Sequence, residues 1–99
     1  MAPSPVSIRW TAQAADDLQA VHEFASKNST KSADALIDRI LSDIDFLEKS
    51  PYLGRSGRIE GTRELVIVHT PFIVVYRLLH DQAEILGILH GARKWPASF

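Results

Sequence analysis

The period of hydrophobic and polar positions changes twice along the chain, and each change marks an element. Residues 5–10 (PVSIRW) alternate Val6, Ile8 and Trp10 against Ser7 and Arg9, which predicts a short half-buried strand. Thr11 then offers an N-cap hydroxyl, and Ala14, Leu18, Val21 and Ala25 recur at helical spacing until Lys27, Asn28 and Ser29 break the pattern. A first helix is expected over residues 12–27. Its acidic pair, Asp16 and Asp17, falls toward the N-terminus, where the helix dipole favours negative charge. The second helix is the clearest element: Ala33, Leu36, Ile37, Ile40, Leu41, Ile44 and Leu47 hold the i, i+3, i+4, i+7 pattern without a miss. Ser29 or Thr30 caps it, and Ser50-Pro51 stops it.

With only a few residues between them, two such helices fold back as an antiparallel hairpin, and neither buries its apolar stripe alone. Three β-rich runs, 63–68, 72–79 and 83–90, supply the other half of the core. Their breaks, 69–71 (HTP) and 80–82 (HDQ), are short enough for hairpin turns. The expected class is α+β: an N-terminal strand and a two-helix hairpin packed on a mostly antiparallel sheet of about four strands.

Length and composition set the outer limits. A chain of 99 residues is expected to form one domain over 1–99, and 45% hydrophobic with 23% charged residues is ordinary globular composition. The absence of cysteine excludes disulfides, thiolate zinc sites and thiol catalysis. The opening MAPSPVSIRW has no apolar leader region and no run spans a bilayer, so a cytoplasmic location without membrane partners is expected. Four histidines show no metal-binding spacing, and no glycine-rich phosphate loop leads from a strand into a helix; neither metal nor cofactor is expected.

The net charge of −1 means that any contact with a polyanion must be local. Residues 49–63 hold four basic side chains against Glu60, while 34–45 hold four aspartates against Arg39, which implies a basic loop and an acidic helical face. The loop, residues 51–62 (PYLGRSGRIEGT), has three glycines and two arginines. It reads either as a solvated connector or as an anion-facing segment in which Arg55 and Arg58 grip a phosphate or carboxylate. Further basic groups recur at strand ends: Arg63, Arg77, His90 and Arg93. Alternation along 72–79 puts Tyr76 with Phe72 and Val74 on one face and Arg77 on the other, so these two cannot act on one phosphate. Tyr76 reads as core, and Arg77 as either a partner of Glu64 or Glu84 or a target contact. His90 reads as a rim histidine bonding the turn at Gly91, or as an acid or base. Trp95 and Phe99 read as aromatics that close the sheet edge or cover an apolar patch.

Five segments together resemble the RelE/ParE superfamily of bacterial type II toxins, and ParE-type members in particular. They are Asp16-Asp17-Leu18, SPYLGRSGR (50–58), GTREL (61–65), IVVYRL (73–78) and ILHGARKWP (88–96), in the order β-α-α-β-β-β. The resemblance implies a toxin made with a cognate antitoxin, whose C-terminal part wraps over the toxin and which contacts DNA for the complex. The tail after Arg93 would then edge the antitoxin groove. ParE-like members are associated with poisoning DNA gyrase, and RelE-like members cut mRNA on the ribosome. A third possibility is a non-toxic corepressor that acts with its antitoxin.

Cutting RNA at a 2′-hydroxyl requires a base, a cation for the phosphorane and an acid. The candidates are Glu64 or His90 as base, Arg58, Arg63, Arg77 or Arg93 as cation, and Tyr76 or His90 as acid. For a binder of gyrase or antitoxin, Arg55, Arg58, Arg63, Arg77, His90, Arg93 and Trp95 form the contact set. Nucleolytic relatives usually carry a lysine-rich surface or a His-Tyr ending; here Gly91 follows His90 and Lys94 stands almost alone. The gyrase reading is therefore the expectation.

Overall fold

The computed structural model describes residues 5–99; residues 1–4, part of the stretch judged for a leader, lie outside the described residues. Strand β1 (Ser7–Trp10) leads into helix α1 (Ala12–Ser26), helix α2 (Thr30–Asp45) and a single 3-10 turn, Phe46–Glu48. Strands β2 (Arg55–Ser56), β3 (Arg63–Val66), β4 (Phe72–Leu79) and β5 (Gln82–His90) follow. The sheet runs β1-β5-β4-β3-β2, with β1 parallel to β5 and every other pairing antiparallel.

The α+β class and the element order agree with expectation, and the strand count rises from four to five. The extra strand is two residues of the glycine-rich loop, paired as Arg55 with Glu64 and Ser56 with Arg63. A two-residue strand carries no periodic signal, so alternation cannot reveal it. The run expected to reach residue 68 leaves the ladder after Val66, and His69 takes a left-handed φ of 67° in the turn.

Both helix starts are capped by the expected hydroxyls. Thr11 accepts from the Ala14 N–H and Ser29 from the Ser32 N–H, each at 3.1 Å. The acidic pair of α1 lies beyond the first turn, which holds no acid, so the dipole argument does not describe Asp17. Its Oδ2 instead accepts the Ile88 N–H of β5 at 3.0 Å.

That contact follows from a β-bulge. Tyr76 pairs with Ile85 and Val75 with Gly87, leaving Leu86 as an extra residue in β5. The bulge lets Ile85 and Ile88, three apart, both enter the helix-side core. Strand β1 ends at Trp10, level with Ile85, and the chain turns into α1, whose Thr11 and Asp17 take over the β5 edge.

The sheet has two faces. Ile40, Ile44 and Leu47 of the hairpin pack with Leu65, Ile67, Val74, Tyr76, Ala83, Ile85 and Ile88. The second face presents Ile73, Val75 and Leu86, all buried, with Glu64 and Glu84 among them. Residues 95–99 fold back over it, and Phe99 lies so close to Gly87 that a Cβ there would meet its Cε1 at 2.9 Å.

Candidate functional site

The second face of the sheet carries two carboxylates, each held between two arginines. Register places Arg9, Glu84 and Arg77 side by side across β1, β5 and β4. The Arg77 Nε and Nη2 donate to Glu84 Oε1 at 2.7 and 2.6 Å, and the Arg9 Nη1 to Oε2 at 3.2 Å. Glu64, only 3% exposed, accepts from Arg55 at 3.0 Å and from both the backbone N–H and the Nε of Arg58, at 2.8 and 3.3 Å. Burial pushes the Glu64 carboxyl up, but the Arg58 N–H and the two guanidiniums outweigh it and hold it below its ordinary value. A carboxylate so held is a poor base. The central guanidinium carbon of Arg58 also sits 3.5 Å from the centroid of the Trp95 ring, and the Trp95 indole N–H donates to the His90 carbonyl.

Tyr76 acts from beneath. It is fully buried on the helix side, donates to the Pro51 carbonyl and accepts from the Gly54 N–H, both at 2.8 Å. These bonds tie the start of the basic loop to the core, and Gly54 is required because a Cβ would stand 2.6 Å from the Tyr76 ring. Burial raises the Tyr76 pKa above its ordinary value, against the Gly54 N–H and the Arg63 charge, which lower it.

The candidates fall into separate places. Arg55, Arg58 and Arg77 stand on the second face, where Trp95 joins them. Arg63 pairs with Tyr76, so it points to the helix side, donates to the Gly54 carbonyl at 2.8 Å and lies over Tyr52. His90 pairs with Phe72, also on the helix side, and its Nδ1 accepts from the Ala92 N–H as expected for the turn. His90 lines a cavity of about 230 Å³ between α1 and β5 with Phe24, Arg93 and Lys94. Arg63 and His90, two strands and four residues apart, are separated by roughly 16 Å on sheet spacing.

Of the two carboxylates expected to pair with Arg77, the partner is Glu84; Glu64 serves Arg55 and Arg58 instead. Trp95 and Phe99 cover the sheet face rather than its edge. Arg9 escapes the sequence reading, since a lone arginine on the polar side of a short strand carries no signal until β5 places Glu84 beside it.

Charge is polarised between the layers. Residues 12–48, the helical layer and its 3-10 turn, hold eight acidic and three basic side chains; the rest of the chain holds four and eight. The net −1 therefore conceals an acidic helical side and a basic sheet side. Among the described residues no cluster of histidine and carboxylates suited to a metal ion occurs, and no helix is long and apolar enough to cross a membrane.

A helical hairpin on a five-stranded sheet with an arginine-rich second face defines a small α+β protein of the RelE/ParE architecture. The family model for the ParE toxin of the type II toxin-antitoxin system parDE matches residues 8–95, and the chain belongs to this family. It is 38% identical over 89 residues to the candidate toxin Y4kP of Sinorhizobium fredii, covering 90% of this chain and 92% of that protein. It is 31% identical over 84 residues to toxin RelE2 of Caulobacter vibrioides, covering 85% and 93%. The chromosomal ParDE toxin-antitoxin system of P. aeruginosa superposes with a TM-score of 0.80 at 25% identity, over 87% of this chain and 96% of that one. The RelBE2 toxin-antitoxin complex of Mycobacterium tuberculosis shares the fold, with a TM-score of 0.60 at 22% identity over 90% and 94%. The chain is the toxin component of a type II module.

Proposed function

We propose that this toxin acts in the cytoplasm as a single-domain, non-enzymatic inhibitor of DNA gyrase, silenced by a cognate antitoxin. The observation that supports it is the division of the groups that RNA cleavage would need. Tyr76 is buried and doubly hydrogen-bonded, Glu64 is clamped by two arginines, and Arg77 and His90 belong to opposite faces. General acid–base catalysis requires its groups within hydrogen-bond reach of one reacting phosphate. A binding surface has no such requirement: Arg55, Arg58, Arg77 and Trp95 present a contact patch on the basic side, and Arg63, His90 and Arg93 flank it elsewhere.

The endonuclease reading draws on one feature, the cavity where His90, Arg93 and Lys94 stand together. The two readings separate in a single experiment. Gyrase supercoiling and primer extension on ribosome-bound mRNA are measured with the same preparations of the wild type, His90→Ala and Arg58→Ala. Inhibited supercoiling, weakened more by Arg58→Ala than by His90→Ala, is the expected result. Specific transcript cuts that vanish in His90→Ala, with supercoiling untouched, would overturn it. No growth effect on inducing the chain alone would leave the corepressor role.

A further inference from the structure

Three cations that no carboxylate holds gather at the C-terminal end of α1. Arg9, Arg55, Arg58 and Arg77 are all engaged on the buried Glu84 and Glu64. Among the described residues Lys27, Arg93 and Lys94 form no ion pair. Two of them meet on an aromatic ring: the Lys27 Nζ lies 5.6 Å, and the Arg93 guanidinium carbon 5.8 Å, from the centroid of Phe24, which is 55% exposed. The tail thereby carries a positive island onto the otherwise acidic helical layer.

Beside the ring lies the cavity of about 230 Å³, with Arg93 and Lys94 on its polar side. Val21 and Ile88, both buried, form its apolar wall with Phe72. Its carboxylate, Asp17, is already engaged by the Ile88 N–H and the Gln13 amide. Apolar cavities of roughly 150 Å³ admit a benzene ring. The space therefore takes one large apolar side chain, flanked by positive charge. Interfaces are anchored in this way, by a buried side chain in a pocket with charges beside it that steer and orient the partner.

An acidic polypeptide with an apolar anchor matches this chemistry. Nucleic acid matches it less well: a base would use Phe24 as a stacking platform, but two cations already stand over the ring. A second copy of this chain offers its acidic α2, but there Asp34 is paired with His22 and Asp43 with Arg39. We infer that the cavity beside Phe24 receives an acidic segment of the gyrase protein. One phenylalanine- or leucine-sized side chain of that segment fills the cavity, and its carboxylates meet Lys27, Arg93 and Lys94. This rests on the reading that gyrase is the target, and it adds a protein contact apart from the patch around Arg58.

Binding of the full chain to purified gyrase, measured by calorimetry without and with DNA beside supercoiling inhibition, tests this. The wild type should bind without DNA, and more weakly as salt rises. Ala20→Trp, which fills the cavity from an exposed position, should weaken binding at least about tenfold with the melting curve retained. Should that variant fail to fold, Phe24→Ser should show the same loss. Arg93→Glu should weaken binding more than Arg93→Ala, while Lys49→Glu, at the other end of the helical layer, should leave it unchanged. If Ala20→Trp and Arg93→Glu bind and inhibit gyrase as the wild type does, this inference fails and the gyrase reading stands. Binding that appears only with DNA would give the cavity to nucleic acid, and a dimer of the free chain that Arg93→Glu dissolves would give it to a second copy; either overturns the assignment. Variants that lose the antitoxin but keep gyrase overturn it likewise, and a wild type that neither binds nor inhibits gyrase would overturn both readings.

Discussion

Arg58 and Trp95, 37 positions apart, are stacked with the guanidinium carbon 3.5 Å from the indole centroid, while the same guanidinium holds Glu64. The stack joins the C-terminal tail to the basic loop. Arg58 is thereby fixed by a ring on one side and a carboxylate on the other, which restricts the rotamers of its long side chain.

Trp95→Ala should therefore loosen residues 92–99 without disturbing the helical core. A cation–π contact at a half-exposed site contributes roughly 0.5–2 kcal/mol, and a loss of about 1 kcal/mol lowers Tm by about 4–8 °C in a domain of this size. Limited proteolysis should cut the tail of the variant faster. An unchanged melting curve and cleavage rate would mean that the stack contributes nothing.

Glu64→Gln should cost about 2–3 kcal/mol, because hydrogen bonds to a charged group contribute about 1.5–3 kcal/mol and the exposed arginines recover part of the loss in water. The pH dependence has a definite sign. The Glu64 carboxyl is lowered in the folded chain, so its contribution is present above the ordinary carboxyl value of 4.5 and is lost as pH falls through the lower folded value. Urea titrations from pH 7 down to 3 should show this acid-side loss in the wild type and its reduction in Glu64→Gln.

Tyr76→Phe keeps the ring in the core but leaves the Pro51 carbonyl and the Gly54 N–H without their partner. Unsatisfied buried polar groups cost about 1–3 kcal/mol each, so a loss in that range is expected, with faster exchange at the Gly54 amide. Since burial raises the Tyr76 pKa, its contribution is present below the ordinary value of 10.0 and declines as pH rises above it. Stability that falls equally in wild type and Tyr76→Phe between pH 9 and 11 would contradict this assignment.

Ile44→Ala in α2 should cost about 2–5 kcal/mol as a core truncation, since Ile44 is 1% exposed and lies in the cluster that joins hairpin to sheet. Leu41→Ala, at a position 37% exposed on the same helix, should cost much less. Equal losses in thermal melts would show that the helix presents a different face to the sheet.

The sequence by itself determined the elements that repeat. A 3.6-residue period fixed α2, a period of two fixed β1 and β4, and the alternation in β4 correctly put Tyr76 inside and Arg77 outside, because those periods are properties of local backbone geometry. Five motifs in register carried the toxin family. Only the tertiary structure decided which charges meet. Arg9 joins Glu84 and Arg77 through a parallel pairing of strands more than 70 residues apart in the chain, and Glu64 gathers Arg55 and Arg58 through a strand of two residues. The bulge at Leu86 aims the Ile88 N–H at Asp17. None of these contacts repeats along the chain; each depends on the register of one particular strand pair, and so the distribution of the basic side chains over two faces emerged only with the assembled sheet.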